Sequence, residues 1–298
     1  PPPPLSSRRR HTRCGWLSRG LGDVYKRQNQ FITVGSGVTL SALQDKLGQQ
    51  NQWLPIRPPF GTTETTIGAL VATAEVGPER LAYGAPRDML LGLQYIDSSG
   101  SMVSAGGKVV KNVAGYDMTR LLTGSMGTLG FITEATWRIS TRPETSKKLT
   151  ATGTMDSCFE AAMKIVNSNL LAALVTIVPE ADQATLQVGF EGLERVVDSQ
   201  LERCTEVMGG SGLNVVGAEP YPLVEGFLAP PFGSIWEAPF VLQADVVIKH
   251  GAEFATQLSQ AAAPTGMVLD VAGGRIYAGF DALTGGQWSA IDLSLIHI

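Results

Sequence analysis

The residues best suited to chemistry in this chain are its glycines. Thirty-four of them occur in 298 residues, clustered rather than periodic. Clustered glycine marks tight turns and places where the backbone comes close to a ligand. The clusters sit at Gly35-Ser-Gly37, at Gly68 within Thr66-Ile-Gly68-Ala-Leu-Val-Ala72-Thr73, at Gly77, at Gly84, and at Gly124-Ser-Met-Gly127-Thr-Leu129-Gly130. Small residues and turn N–H groups of this kind can cradle an anionic or flat ligand. The same pattern also serves plain packing. Gly35-Ser-Gly37-Val-Thr-Leu40 lacks the third glycine of the Rossmann fingerprint, so it reads as a turn into a packing helix.

Acid–base and metal chemistry is sparse. His250 is the sole histidine between His11 and His297. In Lys249-His250-Gly251 it reads as a surface residue at a strand end rather than a base. No HxxH, HExxH or Cys/His spacing is present, so no metal site is expected. Catalytic residues are not identified. The candidate cations are Arg87, Lys108 and Lys111, each equally well read as a solvated loop charge. Tyr116 and Asp117 read as an aromatic anchor and a helix N-cap.

Elements that must position these turns follow from periodicity. Phe31–Val34 is β-branched and aromatic and predicts a strand. Thr39 is a good N-cap, with Ser41 and Gln44 as an alternative capping box, before Leu40, Leu43 and Leu47 at helical spacing. Pro55–Gly61, with Pro58-Pro59, predicts a stiff loop. Met89–Ile96, the turn Asp97–Gly100 and Ser101–Ala105 predict a hairpin. Leu129–Ile139 alternates and predicts a half-buried antiparallel strand with Leu129, Phe131, Ala135, Trp137 and Ile139 on one side.

Taken in order, these strings resemble one family. PP-x(6)-TIGALVAT-x(3)-GP-x(4)-YGAPRD, GGKVVKNVAGYD and LLTGSMGTLGFIT together resemble the FAD-binding domain of the vanillyl-alcohol-oxidase family. GGKVVKNVAGYDMTRLLTGSMGTLG is most similar to the FAD-binding subunits of bacterial glycolate oxidases. It is less similar to D-lactate and 2-hydroxyglutarate dehydrogenases. The resemblance runs from Phe31 to Pro143.

The resemblance implies an α+β fold: a PCMH-type FAD-binding domain, present in part, followed by an α+β cap domain. It implies non-covalent FAD, because the matched stretch contains no histidine to tether the flavin. Pro59 and Thr66-Ile67-Gly68 would line the flavin and ribityl chain. Ala72, Thr73 and Gly77 would lie against the pyrophosphate and ring, with Gly84 and Asp88 shaping the same wall. Gly124, Gly127 and Leu129 would hold backbone against the cofactor, and Ile132 would meet the adenine through its backbone. The implied partners are a catalytic flavoprotein subunit, an iron–sulfur subunit and a small 2-hydroxy acid. The family's glycine-rich diphosphate turn upstream of Phe31 is missing, and Arg19–Gly22 is no substitute. A preceding part of the domain is therefore expected outside this sequence.

The second half reads as interleaved strands and helices. Strands are expected at 148–154, 174–178, 185–190, 240–249, 267–271 and 275–280, with helices at 159–166, 193–208 and 252–263. Ser157–Glu160 is read as a capping box, Gly209-Gly210 as a helix stop, Val196, Val197, Leu201 and Cys204 as core positions, Pro143–Lys148 as a linker and Pro220–Pro239 as a long loop. The domain reading is 29–143 and 147–293, with 1–28 and 294–298 set aside as non-native ends.

Charge and composition exclude other classes. Residues 1–28 carry seven of the 23 Lys+Arg and one acid, so 16 bases face 26 acids in the remainder, a net −10. An acidic body argues against nucleic acid. The basic head could be read as a targeting arm through Arg8–Arg10, but it has no apolar core for a signal peptide. Its lack of any apolar period favours read-through sequence instead. Cys14, Cys158 and Cys204 form no framework, which suggests a reducing compartment. No apolar run is long enough to span a membrane. The expected location is the cytoplasm, free or held at the inner face of its membrane through partners.

Overall fold

The computed structural model describes residues 30–58, 64–107, 117–180, 183–221, 235 and 237–287. The chain forms two compact units: residues 30–76 with 84–142, and residues 77–83 with 143 onward.

The first unit is built on a four-stranded antiparallel sheet. Its strands are β1 (Phe31–Gly35), β3 (Leu90–Ile96), β4 (Met102–Gly106) and β5 (Phe131–Arg138), in the order β1-β5-β3-β4. A second, two-stranded sheet pairs β2 (Gln52–Trp53) with β6 (Ser140–Thr141). Helix α1 (Leu40–Gly48) starts at Thr39, whose Oγ1 accepts the Ala42 N–H. Gln44 takes no part in a capping box. It is buried and clamps Leu54 from both sides, donating to its carbonyl at 2.6 Å and accepting its N–H at 3.1 Å. Helix α2 (Ile67–Thr73) is capped by Thr66. Helix α3 (Met118–Leu122) is capped by Asp117, as the sequence predicts. Asp97 Oδ1 collects the Ser99 and Ser101 N–H groups and so shapes the β3–β4 turn.

Strand β5 departs from the alternating expectation. It is central, so Ala135, Thr136 and Trp137 are all buried. Its register against β3 slips near Thr133: Ile132 faces Tyr95 while Glu134 faces Gln94. One extra residue reverses the facing of everything before it. Phe131 is consequently exposed, on the side opposite Ala135 and Trp137.

The second unit carries a seven-stranded antiparallel sheet: β7 (Thr145–Gly153), β8 (Leu174–Pro179), β9 (Ala184–Gly192), β10 (Asn214–Pro220), β11 (Phe240–Asp245), β12 (Gly266–Asp270) and β13 (Arg275–Phe280). Their order is β10-β7-β9-β8-β12-β13-β11. Helices α4 (Met155–Val166), α5 (Glu194–Gly210) and α6 (Gly251–Ala262) supply Cys158, Ile165, Leu201, Cys204, Phe254 and Leu258 to a core shared with Val175, Leu186, Val188 and Ile276. Burying one such aliphatic side chain contributes about 1.5–3 kcal/mol.

Several boundaries differ from expectation. Thr154, not Ser157, caps α4, because its hydroxyl accepts the Ser157 N–H. α5 runs through Gly209 and Gly210. Its core stripe is Val197, Leu201, Cys204 and Met208, while Val196 is exposed. β7 already begins at Thr145, inside the expected linker. β10 was not expected at all: Asn214–Pro220 is largely exposed and pairs along β7 as an edge strand. His250 ends a 3₁₀ turn and precedes α6, with Nδ1 3.5 Å from Glu253, so it lies at a helix start rather than a strand end. Most of the expected 220–239 loop lies outside the described residues.

Candidate functional site

The predicted site residues fall into three groups and two outliers. The first group lies at the start of α2. Thr66 and Thr39 form an isolated bridge, and the Ser36 turn packs on Gly68. A Cβ at Gly68 would meet the Ser36 Cβ at 2.9 Å. The amides here are already used. Ile67 N–H donates to Val38 O, Gly68 N–H to Ser36 O, and Ala69 N–H to Thr66 Oγ1. Backbone donors engaged this way are not available to a phosphate. Thr66, Ile67 and Gly68 form a structural junction in which the Ile67 and Gly68 amides are engaged by the chain itself.

The second group forms at the other end of α2, roughly 10 Å away along its axis. The 124–129 loop docks there. Gly124 N–H donates to Val71 O at 2.9 Å, and Met126 N–H to Ala72 O at 2.8 Å. Ala72 and Thr73 are thus held beside Gly124 and the turn leading to Gly127. Left-handed backbone is concentrated at this end, with φ of +56° at Ala74, +80° at Gly124, +53° at Met126 and +73° at Gly127. Gly127 has no atom within 4 Å of where a Cβ would stand. Leu129 is exposed.

In the third group, Gly84 and Asp88 explain each other locally. Gly84 has φ +85°, and Asp88 Oδ2 accepts the Ala85 N–H at 2.9 Å. Arg87 is exposed and 4.0 Å from Asp88, a solvated charge. The outliers are Gly77, which belongs to the second unit, and Ile132, whose side chain is buried opposite Tyr95. Pro59, Lys108, Lys111 and Tyr116 lie outside the described residues.

One residue of this site escapes sequence reasoning. The Oγ of Ser125 is buried and has no hydrogen-bond partner among the described residues. A buried hydroxyl left unsatisfied costs about 1–3 kcal/mol. It sits in the middle of the loop, between two left-handed glycines. The signal was available: a serine flanked by Gly124 and Gly127 is a hydroxyl that the turn must aim.

The second unit has its own cluster of buried charge. Asp270 is fully enclosed, and Oδ1 accepts the Gly273 N–H at 2.8 Å. Burial pushes its carboxyl up to about 7, opposed by that hydrogen bond and by the nearby Arg80 and Arg275 guanidiniums, while Glu79 adds to the rise. Glu79 accepts from the Tyr221 hydroxyl at 2.8 Å, and Tyr83 donates to Glu191 at 2.6 Å, so the 77–83 segment is tied within this unit. Burial also raises the Cys158 and Cys204 thiols, to about 11 and about 12. Among the described residues no three His, Cys, Asp or Glu side chains come together to hold a metal, and no helix is long and apolar enough to cross a membrane.

Residues 17–106 match the family described as FAD binding domain. The match begins inside the basic head set aside on composition. The chain is 37% identical over 146 residues to glycolate oxidase subunit GlcE of Escherichia coli, covering 49% of this chain and 41% of that one. It is 34% identical over 179 residues to glycolate oxidase subunit GlcD of Bacillus subtilis, covering 57% and 37%. The chain therefore spans about two fifths of these relatives' length. Among solved structures, alkyldihydroxyacetonephosphate synthase superposes with a TM-score of 0.72 at 15% identity, over 94% of this chain and 61% of that chain. The fold is of the PCMH type of FAD-binding domain with mixed helix and sheet, and the resemblance to glycolate oxidase subunits holds over about half of the chain. The cofactor of this domain is FAD.

The residues at the loop end of α2 fit that group. They offer open space over Gly127, glycine backbone at the surface and exposed apolar side chains at Met126 and Leu129, features that a large, flat cofactor requires of the protein.

Proposed function

We propose that this chain is the FAD-binding subunit of a glycolate (2-hydroxy acid) oxidase or dehydrogenase complex. In this reading it holds FAD non-covalently, beside a catalytic flavoprotein subunit and an iron–sulfur subunit. Bound FAD supplies the hydride acceptor for oxidising glycolate to glyoxylate. The chain's own residues hold and orient. Ala72 and Thr73 form one wall. Gly124 and Gly127 would let the main chain approach, and Leu129 would cover an apolar edge. Flavin held here would pass electrons to the partner subunits, in the cytoplasm or at the inner face of its membrane.

The observation that carries the reading is the left-handed 124–127 loop docked on α2 beneath exposed Met126 and Leu129. The 37% identity to a glycolate oxidase subunit names the chemistry. Oxidising a 2-hydroxy acid also needs a base and a cation for the carboxylate. His250 is exposed and paired with Glu253, so those roles are assigned to the partner.

The full-length protein, made alone and with its partners, tests this. The lone subunit is expected to be yellow but inactive with glycolate and an electron-accepting dye, and active once partners are added. Turnover by the lone subunit would instead identify a self-sufficient D-lactate-type dehydrogenase. A colourless protein that still restores the complex would make it a purely structural subunit.

A further inference from the structure

We propose that Met126 is a positioning residue for the cofactor: its thioether packs against an aromatic ring of bound FAD and thereby fixes the 124–129 loop. The inference rests on the FAD reading above and goes beyond it by assigning a side chain rather than a stretch of backbone.

Three observations converge. Met126 has φ +53°, a left-handed conformation that crowds its Cβ against the following carbonyl. The neighbouring left-handed positions, Gly124 and Gly127, adopt this conformation without that cost because they lack a Cβ. At Met126 the cost is not offset by burial, since the residue is 68% exposed.

Its backbone is nonetheless pinned. The Met126 N–H to Ala72 O bond fixes where the side chain leaves the loop. It stands three residues before Leu129, which is also exposed. A rigidly placed, exposed apolar side chain matches a ligand that presents an aromatic face. Methionine suits the aromatic face: it is unbranched, polarizable and makes favourable contacts with ring edges.

Met102 provides an internal control. It is 66% exposed, almost the same as Met126, but stands on the edge strand β4, opposite Ile96 and two strands across from Phe131. The experiment is oxidation by dilute peroxide of the full chain, with and without saturating FAD, read by peptide mass spectrometry. Bound flavin is measured in parallel by absorbance. FAD is expected to slow Met126 oxidation at least about fivefold and to leave Met102 unchanged, as burial of a surface thioether requires.

Two variants complete the test. Met126→Leu is expected to keep FAD affinity within about threefold. Met126→Gly is expected to weaken it about tenfold, the upper end of a sulfur–aromatic contact. The same glycine variant is expected to melt no lower than wild type without FAD, because it relieves the left-handed strain. A residue with a merely structural role would instead lower the apo melting temperature. Bound flavin with Met126 oxidised at its free rate, protection shared equally by Met102, or unchanged affinity in Met126→Gly would each overturn the assignment. No bound flavin in wild type would overturn the FAD reading beneath it.

Discussion

The two units of this molecule handle their awkward groups differently. In the second unit most have an internal explanation, although the Thr176 hydroxyl is buried without a partner among the described residues. Asp270 is buried, but Gly273 and nearby arginines attend its carboxyl; Glu79 and Glu191 each accept a tyrosine hydroxyl; the two cysteines are sealed in the core. In the first unit, the loop end of α2 is not closed by its own packing. Left-handed Met126, exposed Leu129 and the unsatisfied Ser125 hydroxyl share one short turn. A unit that satisfies itself is stable for its own sake. A turn that leaves apolar side chains exposed on left-handed backbone is open to completion by something it binds. Substitutions in the second unit should therefore be blind to FAD, and those in the loop should be coupled to it.

The largest expected effect belongs to the second unit. Asp270 has a folded-state pKa of about 7 against 3.8 for the free carboxyl. Between those values the folded protein holds a proton that the unfolded chain has released. Stability should therefore fall as pH rises from about 4 to about 7 and level off above, with a slope from this group of up to about 1.4 kcal/mol per pH unit. Asp270→Asn should remove that slope while keeping the acceptor for Gly273 N–H. Urea denaturation across this range measures it. An unchanged slope would mean that Asp270 titrates normally, and a slope that depended on FAD would break the contrast between the units.

A smaller effect marks where the contrast runs inside the first unit. A side chain at Gly68 would strike Ser36, so Gly68→Val should cost about 2–3 kcal/mol through overpacking. Denaturant midpoints with and without FAD should drop by the same amount, because the amides at this end of α2 are already spent on Val38 and Ser36. A loss of FAD affinity well beyond the loss of stability would return this end of α2 to the binding site.

Much of this layout was legible from sequence where local chemistry decides. Thr39, Asp117 and the Asp97 turn do what their side chains dictate. The helices and most strands of the second unit follow their apolar periods. What was not legible depends on partners distant in sequence. The slip at Thr133 exists because β5 must pair with both β1 and β3, and it moves Phe131 to the other face. β10 is an exposed edge strand whose residues carry no buried alternation. The helix α5 tolerates Gly209 and Gly210 because Met208 is anchored in the core just before them. For the site, the motifs placed Ala72, Thr73, Gly124 and Gly127 in one neighbourhood. They could not show that the Ile67–Ala69 amides are engaged internally, that Gly77 sits in the other unit, or that Ser125 carries a polar atom left without a partner among the described residues. Each of these depends on which carbonyl lies opposite, and residue type does not encode that.

The central claim is that FAD is held at the loop end of α2. Amide hydrogen exchange of the full chain, with and without saturating FAD, tests it most directly. The account predicts slowed exchange in peptides spanning residues 70–74 and 120–132, with residues 145–220 unchanged. Bound FAD that left exchange at 120–132 unaltered would contradict it.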